Sequence, residues 1–361
     1  MFSFLTLAGG SRTWLRRLWA AWARPAVQAA VALSTATSGH AALFGLGGST
    51  SLDTHAGLTL ATWNLEWLMS PAVHEELSAR CVRQQPASRE RALPCTPGRT
   101  PPPARTQADL EALARTAQTL HTPRRVGVVA LQEVDGPEAA RQVFRQGWKL
   151  DCFERRAHPQ KVGFAIREGV PYRCNSELSA LDVDGGSRAG ADLTIYPGTA
   201  HEVRLLNVHL KSGCFRGDLD REFSPCRGLQ RQAPVVEAWI DQRVREGVAF
   251  AILGDFNRHL DQDERRAAGP DENAPLNLLP AWSDDQPRGA VLHRVTAGQP
   301  YLPCDADDRH SRYIDDILLS DSLKARYENR RATLRMTRLS YDPQDRGRQL
   351  SDHCPLIWSA D

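Results

Sequence analysis

Four runs of apolar residues recur along the chain, and each contains or ends in polar residues that can bind metals or move protons. The runs are Val126–Leu131, Val203–Leu210, Val248–Leu253 and Ile314–Leu319. Nearly continuous apolar runs are typical of strands covered on both faces, as in layered α/β folds. Because loops at strand ends converge on one rim, we expect the polar residues at these ends to lie near one another. The pattern predicts an α/β enzyme.

One more strand and two helices complete the predicted core. The strand covers Leu58–Asn64, and the first helix opens at Thr106, where Asp109 stands three residues later and completes a capping box. The apolar stripes of the helices repeat with helical spacing and are expected to face the sheets. These stripes are Leu110, Leu113, Ala117 and Leu120 in the first helix, and Val235, Val236, Trp239 and Ile240 in a second helix around Gln230–Arg245.

The N-terminal residues 1–41 are predicted to be a signal peptide or another targeting segment. Four arginines precede the Ala- and Val-rich run Ala26–Ala36, and the small residues Gly39 and Ala41 follow it. A positive region, a short apolar region and a small-residue cleavage site form the secretory pattern. A disordered basic tail and a short membrane anchor around Leu15–Trp22 are the alternatives. The Gly- and Ser-rich residues 42–57 are predicted to be a linker.

The charge balance gives no global case for binding a polyanion. The chain has 45 basic and 43 acidic residues, and without residues 1–41 the balance becomes 41 to 43. A nearly neutral body would have to bind nucleic acid through local basic patches. The Arg-rich segments Arg141–Lys161 and Lys324–Arg348 are candidates for such patches.

Eight cysteines support export and predict disulfides. They stand at positions 81, 95, 152, 174, 214, 226, 304 and 354. An even count with close neighbours is typical of bridged loops in exported proteins. Zinc binding is the alternative, but the sequence has no Cys-x-x-Cys pair and its spacings fit no zinc knuckle. Proximity favours the pairs Cys81–Cys95, Cys152–Cys174 and Cys214–Cys226, and leaves Cys304 with Cys354. The first pair would hold an irregular Pro- and Arg-rich insertion at residues 70–105.

Six short motifs at or near the predicted strand ends carry the candidate chemistry. They are Thr62–Glu66 (TWNLE), Leu131–Val134 (LQEV), Asn207–Leu210 (NVHL), Gly254–Asn257 (GDFN), Ile314–Ile317 (IDDI) and Ser351–Pro355 (SDHCP). Together and in this order they resemble the endonuclease/exonuclease/phosphatase superfamily, which includes deoxyribonuclease I, exonuclease III and bacterial neutral sphingomyelinases. The resemblance covers residues 58–359. It implies a domain at 58–361 with a four-layer α/β sandwich, in which two mixed β-sheets pack face to face between outer helices.

Hydrolysis of a phosphodiester requires neutralisation of the nonbridging oxygens, an activated water and help for the leaving oxygen. Hard oxygen ligands suit Mg²⁺, Mn²⁺ or Ca²⁺. Asn64 and Glu66 are two apart on an extended strand, so they point to the same side and can both face the rim. The resemblance implies that these two positions and Glu133 bind the metal and that Asp352 lies near it. It also implies that Asn257 binds phosphate or a metal.

His353 is the candidate base or electrophilic contact to the phosphate, and Asp315 is its natural orienting partner. A carboxylate that holds one imidazole nitrogen fixes the tautomer and stabilises the protonated ring. The resemblance implies this pair. It also implies that Asp255 positions or deprotonates the attacking water and that His209 donates to the scissile phosphate or the leaving oxygen. Lys211 shares the face of His209 if the strand continues, and would add positive charge there.

Some candidate residues have a structural alternative. Arg258 and His259 could bind a second phosphate or merely lie in a loop, and Asp316 could be only a solvated neighbour of the orienting aspartate. Several nuclease relatives carry Tyr or Glu just before the strand that corresponds to Val162–Ile166. This chain has the sequence HPQK at positions 158–161 instead. The auxiliary phosphate contact of those relatives is therefore unassigned here.

These observations predict a metal-dependent phosphodiester hydrolase, secreted or periplasmic, with a nuclease acting on DNA or RNA as the favoured function. Export, Lys211 and the Arg-rich segments favour nucleic acid, and no aromatic hairpin for lipid insertion is evident in the sequence. Activity like that of a phospholipase C, a sphingomyelinase or a phosphatase is the alternative, and a phospholipid head group is the alternative ligand. An inactive binding protein is a second alternative, against which Glu133, Asp255 and His353 argue. No obligate protein partner is evident.

Overall fold

The computed structural model describes residues 57–83, 104–156, 158–220, 222–266, 277–308 and 310–361. Among these residues the chain forms twelve β-strands and seven α-helices. The strands are β1 (Leu58–Leu68), β2 (Val128–Val134), β3 (Trp148–Asp151), β4 (Lys161–Arg167), β5 (Tyr172–Cys174), β6 (Ala191–Ile195), β7 (Val203–His209), β8 (Phe250–Asp255), β9 (Leu292–Arg294), β10 (Asp315–Ser320), β11 (Leu334–Arg338) and β12 (Leu356–Ala360). The helices are α1 (Pro71–Arg83), α2 (Gln107–His121), α3 (Pro137–Arg141), α4 (Ser224–Glu246), α5 (Leu260–Arg266), α6 (Leu278–Trp282) and α7 (Asp321–Glu328).

The strands form two mixed sheets of six strands each, in the orders β11-β12-β1-β2-β4-β3 and β5-β6-β7-β8-β10-β9. Each sheet has one parallel pair at its centre, β1 with β2 and β7 with β8. The other pairs, including β1 with β12 and β8 with β10, are antiparallel. This arrangement matters for the site, because strands of both directions start or end at the same edge.

Three buried apolar clusters separate four layers. The central cluster lies between the sheets and includes Leu60 and Phe164 from one sheet and Leu205 and Ile317 from the other. Helices α2 and α3 pack on the outer face of the first sheet, and α4 and α6 pack on the outer face of the second. The central strands are therefore covered on both faces, which explains their uninterrupted apolar runs. The predicted four-layer α/β sandwich is confirmed.

The predicted capping box of α2 is present, with Thr106 and Asp109 each accepting a hydrogen bond from the other's backbone N–H. The prediction of an irregular insertion at residues 70–105 is wrong in its first part, where α1 forms. Leu77 and Cys81 stand four residues apart and are both buried, so they give this segment an apolar helical face. Residues 84–103 lie outside the described part of the chain.

The disulfides Cys152–Cys174, Cys214–Cys226 and Cys304–Cys354 are all present. Cys81 is also disulfide-bonded, and Cys95, its predicted partner, lies outside the described residues. No cysteine of the described residues is free, which decides for bridged loops against zinc.

The predicted targeting segment at residues 1–41 and nearly all of the predicted linker at 42–57 lie outside the described residues. Within the described ranges, none of the helices combines the length and the apolar composition that crossing a membrane requires.

Candidate active site

One edge of the sandwich gathers strand ends from both sheets. Glu133 stands near the end of β2, and His209 and Asp255 end β7 and β8, where they pair in register. Because β10 runs antiparallel to β8, Asp315 begins its strand directly opposite Asp255. His353 lies just before β12, which runs antiparallel to β1 and starts at the same edge. Side chains that are distant in sequence therefore meet in one cluster.

Two buried amides connect the sheets below this edge. The Gln132 Nε2 donates to the Asn207 Oδ1 at 2.7 Å. The Asn207 Nδ2 donates to the carbonyl oxygens of Leu131 and Gly163, at 2.9 and 2.7 Å. An unpaired buried amide would cost about 1–3 kcal/mol, so this network disfavours sliding of one sheet over the other. It fixes the position of β2 relative to β7 and so the distance between the polar groups that follow them.

A glycine makes the approach of β7 and β8 possible. Gly254 has φ +146°, and a Cβ at this position would lie 1.9 Å from the carbonyl oxygen of Val208. Only glycine fits such a close backbone approach. The next residue, Asp255, is therefore placed beside His209, with 3.5 Å between the Asp255 Oδ2 and the His209 Nε2.

His353 is held by Asp315, as expected. The His353 Nδ1 lies 2.7 Å from the Asp315 Oδ2, and both side chains are buried. Burial alone would lower the pKa of His353, but the Asp315 carboxylate, with the charges of Asp255 and Asp352, raises the pKa well above its ordinary value. The other ring nitrogen, Nε2, faces Asp255 Oδ2 at 3.9 Å and Asp352 Oδ1 at 3.8 Å. The ring thus has one anchored nitrogen and one directed into the cluster.

Asp255 lies at the centre of the cluster. Its Oδ1 accepts from the backbone N–H of Asn257 at 2.8 Å, and its Oδ2 accepts from the Asn64 Nδ2 at 3.2 Å. Burial raises the pKa of Asp255 to about 7, against the opposing effect of the His353 charge. His209 is in the opposite condition, since burial and the nearby Arg188 lower its pKa well below the ordinary value. The imidazole of His209 is therefore neutral at neutral pH.

Glu133 is fixed by three donors. Its Oε2 accepts from the Gln160 Nε2 at 2.6 Å and from the Trp67 N–H at 3.2 Å. Its Oε1 lies 3.3 Å from the Asn64 Nδ2 and 3.6 Å from the His209 Nε2. The backbone of Glu133 has φ +57°, a left-handed conformation that non-glycine residues rarely adopt. Asn257 shares this conformation with φ +51°. Such conformations cluster at functional sites.

Glu66 brings a further carboxylate to the same edge. Its Oε2 accepts from the Asp352 N–H at 3.2 Å. Burial raises the pKa of Glu66 to about 7, and the negative charges of Asp352 and Glu133 add to this effect, whereas Arg105 opposes it. Arg105 itself donates to the carbonyl oxygens of Leu65 and Glu66, at 2.9 and 2.8 Å. Carboxylates that repel one another at an edge are a site that a cation would stabilise.

These oxygens fit a hard divalent cation. Glu66, Glu133 and Asp352 offer carboxylates, Asn64 offers an amide oxygen, and no thiolate or imidazole is needed. A second set is Asp255, Asp315 and His353, whose ligand atoms lie within 4.8 Å of one another. In that set Asp315 is already bonded to His353, which leaves the pair suited to holding a proton.

The structure brings nine of the predicted residues together at this edge. They are Asn64, Glu66, Glu133, His209, Asp255, Asn257, Asp315, Asp352 and His353. Lys211 lies beyond the end of β7, half-buried beside α4, and the methylene groups of its side chain pack against Gly228. Because β7 ends at His209, the condition under which Lys211 would share the face of His209 is not met.

Arg258 is not part of the cluster, and the prediction that it binds substrate is contradicted by its position. Its side chain is fully buried, and it pairs with Asp263 at 2.7 Å and donates to Asn277 Oδ1 at 2.8 Å. A buried guanidinium whose donors are used inside the protein cannot reach a substrate. Asp316 is also turned away, since its carboxylate binds Thr296 and Arg294.

Sequence reasoning missed three residues of the site. Gln160 binds Glu133, Arg105 fixes the end of β1, and Arg188 places positive charge beside Glu133 and Asp255. The HPQK segment lacks the Tyr or Glu of several relatives, and its Gln160 is the residue that contacts Glu133. Arg188 follows a Gly- and Ser-rich loop, Asp182–Ser187, and no local pattern marks it.

The chain matches the Endonuclease/Exonuclease/phosphatase family over residues 61–353. No curated protein matches it. TDP2 from C. elegans has a TM-score of 0.50 at 13% identity, covering 84% of this chain and 75% of that one.

Two further solved structures are similar. D. rerio TDP2 complexed with single strand DNA product has a TM-score of 0.48 at 13% identity, covering 85% of this chain and 99% of that one. The 3'-5' exonuclease NExo from Neisseria meningitidis has a TM-score of 0.47 at 16% identity, covering 84% of this chain and 100% of that one. At 13% identity and a TM-score of 0.50, the likeness to C. elegans TDP2 shows the fold alone. Because the family match spans most of the chain, this protein belongs to the Endonuclease/Exonuclease/phosphatase family, whose members are hydrolases of phosphate esters.

Proposed function

We propose that this protein is an exported, divalent-metal-dependent nuclease that hydrolyses phosphodiester bonds of DNA or RNA. The observation that carries the proposal is that His209 and the Asp315–His353 pair face the same Asp255 carboxylate, at 3.5 and 3.9 Å, beside Glu133. Such a cluster offers proton acceptors, proton donors and hard metal ligands around one point. Phosphodiester hydrolysis requires all three.

Asn64, Glu66, Glu133 and Asp352 would hold the cation, with Mg²⁺ favoured and Mn²⁺ or Ca²⁺ as alternatives. When bound, the cation neutralises charge on the nonbridging oxygens of the phosphate. Asn64 is the link to the rest of the site, because its Nδ2 lies between Glu133 and Asp255.

The other residues position protons. Asp255 is assigned to orient the attacking water and to accept its proton. His353 is assigned to the phosphate, with its Nδ1–H anchored on Asp315 and its Nε2–H directed into the cluster. The neutral His209 is assigned to a phosphate or leaving-group oxygen, toward which its Nε2 would donate. Asn257 and Lys211 are assigned to substrate binding, Asn257 also to the metal side of the site.

A lipid substrate is the second candidate, and one observation favours it. Among the described residues three large hydrophobic side chains are exposed, and two of them, Phe215 and Phe223, lie in the loop closed by Cys214–Cys226. Paired exposed phenylalanines are suited to a membrane surface. Nucleic acid remains favoured because Arg188 places positive charge beside Glu133 and Asp255, and Arg216 lines a groove that also includes Ile314, the residue before Asp315.

The test is a substrate panel with the purified protein. With Mg²⁺, Mn²⁺ or Ca²⁺ we expect hydrolysis of plasmid DNA, single-stranded DNA or RNA, and loss of that activity with EDTA. Vesicles of sphingomyelin and of phosphoinositides are tested as alternative substrates in the same buffer. Hydrolysis of vesicles without cleavage of any nucleic acid would reject the nuclease in favour of the lipid enzyme. No hydrolysis of any substrate would favour the inactive binding protein.

The proposal of export rests on the disulfides, because thiols of cytosolic proteins are kept reduced. The protein isolated from the periplasm or the medium should begin near Ala42, after the predicted cleavage site. Thiol titration of this protein, denatured without reductant, should find about two or fewer free thiols among its eight cysteines. Recovery of an uncleaved chain with about six or more free thiols from the cytoplasm would overturn export.

A further inference from the structure

A groove of about 430 Å³ opens beside the Asp315–His353 pair. Its lining includes Phe215, Arg216 and His259, together with His310 and Ile314 from the segment before β10. Ile314 directly precedes the orienting aspartate, and the ring of His310 lies 6.5 Å from the ring of His353. The groove therefore borders the candidate active site, and none of its lining residues is one of the proposed catalytic or metal-binding residues.

The aromatic side of this groove is formed by Phe215 and His259. The Phe215 side chain is 39% exposed, although it is large and apolar. Its ring centroid lies 6.3 Å from that of His259, with 33° between the ring planes. The backbone N–H of His259 donates to the carbonyl oxygen of Phe215 at 2.8 Å. The two rings are thus held as one surface by a backbone bond.

Buried groups hold this exposed surface in place. Cys214, next to Phe215, is bridged to Cys226. The buried Arg258 donates to the carbonyl oxygen of Cys214 at 3.0 Å and also to that of Gly217, so it grips the loop on both sides of Phe215. Burial of a charged side chain is costly unless it is paired and hydrogen-bonded, and Arg258 is both. The structure therefore uses a buried ion pair to order a loop whose tip carries an exposed phenylalanine.

We propose that this groove binds an unpaired nucleobase next to the scissile phosphate, stacked on Phe215 and His259. The proposal rests on the proposed nuclease function and adds a preference for single-stranded substrate. Every nucleobase has a flat face that stacks on an aromatic ring, and such contacts are sequence-tolerant. Arg216, which also lines the groove, would add positive charge for the phosphate backbone. A base inside a duplex is paired and stacked already, so it enters the groove only after unpairing.

The experiment is a double-mutant cycle in which one change removes the Phe215 ring and the other removes the base from the substrate. The substrate is a single-stranded oligonucleotide with one hydrolysable phosphodiester and methylphosphonate at the other linkages. Three versions carry all bases, an abasic residue 5' of the hydrolysable bond, or an abasic residue 3' of it. The rate constant kcat/KM with Mg²⁺ is measured for the wild type and for Phe215→Ala, Phe215→Tyr and His259→Ala. Phe223→Ala is the matched control, because Phe223 is exposed in the same loop but does not line the groove.

The wild type should lose about 10-fold in kcat/KM on one of the two abasic substrates, the order expected for one stacked base. Phe215→Ala should lose a similar factor on the complete substrate and be insensitive to removal of that same base. Phe215→Tyr should keep the wild-type rate, His259→Ala should lose activity in the same direction, and Phe223→Ala should be unchanged. Thermal unfolding of Phe215→Ala should match the wild type, since the removed ring is partly exposed.

The stacking proposal would be overturned if the losses in kcat/KM from Phe215→Ala and from the abasic residue multiply independently. It would also be overturned if neither change affects kcat/KM. Equal effects of Phe215→Ala and Phe223→Ala, confined to vesicle substrates, would assign the loop to a membrane surface instead. A wild type that cleaves the complete oligonucleotide without this coupling refutes the groove proposal alone. A wild type that cleaves no oligonucleotide with any of the three cations refutes the proposed function as well.

Discussion

Glu133→Gln is expected to reduce phosphodiester hydrolysis by at least about 10²–10³-fold while the fold stays intact, the effect of losing one electrostatic stabiliser of the transition state. Glu133 is a proposed metal ligand, and its Oε1 lies 3.6 Å from the His209 Nε2 and 3.3 Å from the Asn64 Nδ2. Glutamine keeps the volume of glutamate. Its amide oxygen can still accept from Gln160 and Trp67, which bind the Oε2 of the native side chain. The substitution therefore removes charge and leaves packing.

Two measurements check this prediction independently. Calorimetric titration should show weaker binding of Mg²⁺ or Mn²⁺ to Glu133→Gln than to the wild type, and thermal unfolding without metal should show similar midpoints. Glu138→Gln is the matched control, since Glu138 is an exposed carboxylate on the neighbouring helix α3. Wild-type activity in a folded Glu133→Gln protein would remove Glu133 from the metal site.

Asp315→Asn is expected to lower the rate by about 10²-fold or more, the range of a positioned acid–base group. The His353 Nδ1 lies 2.7 Å from Asp315, across 38 residues of sequence. Asparagine fills the same space but carries no charge, so it neither raises the pKa of the ring nor selects the tautomer with Nδ1–H. The pKa of His353 should fall in this variant, because Asp315 is the first of the three carboxylates that raise it.

His353→Ala should be at least as damaging as Asp315→Asn, and the double variant should be little worse than His353→Ala alone. Residues that act as a unit give such non-additive losses. Rates of the two single variants and the double variant decide the matter. Asp316→Asn serves as the control, because Asp316 is equally buried on the same strand but faces Arg294 and Thr296. Losses that multiply independently would show that Asp315 does not act through His353.

The exposed Phe215 belongs to the loop that lines the proposed base-binding groove, and the buried Arg258 contacts that loop. The sequence presents Arg258 directly after the motif Gly254–Asn257, where a phosphate contact is a natural expectation. In the fold its guanidinium instead holds the loop that carries Phe215. Arg258 would therefore affect the proposed substrate groove only indirectly, by holding the loop from which Phe215 reaches the surface.

The sequence by itself predicted the buried strands of an α/β fold, and the resemblance of its six motifs to a family implied the two-sheet sandwich and the candidate site. The strands at the centre of each sheet are covered on both faces, so their apolar runs stand out without any alignment. Residues at the ends of these strands must share an edge once the strands pair, which is why Glu133, His209, Asp255 and Asp315 could be grouped from their positions. The disulfides followed from proximity along the chain, and Cys304 and Cys354 followed as the remaining pair.

Only the tertiary structure decided what the loops contribute. Gln160, Arg105 and Arg188 reach the site from segments without periodicity, and their positions depend on long-range contacts that no local pattern encodes. Arg258 was the opposite case, since the sequence predicted a substrate contact where the fold has a buried ion pair. An arginine can bind phosphate or form a buried ion pair, and a carboxylate such as Asp263 packed against it decides for the ion pair. The order and direction of paired strands determine which strand ends share an edge, because backbone pairing follows a regular pattern. The path of a loop depends on side-chain contacts that only the folded chain assembles.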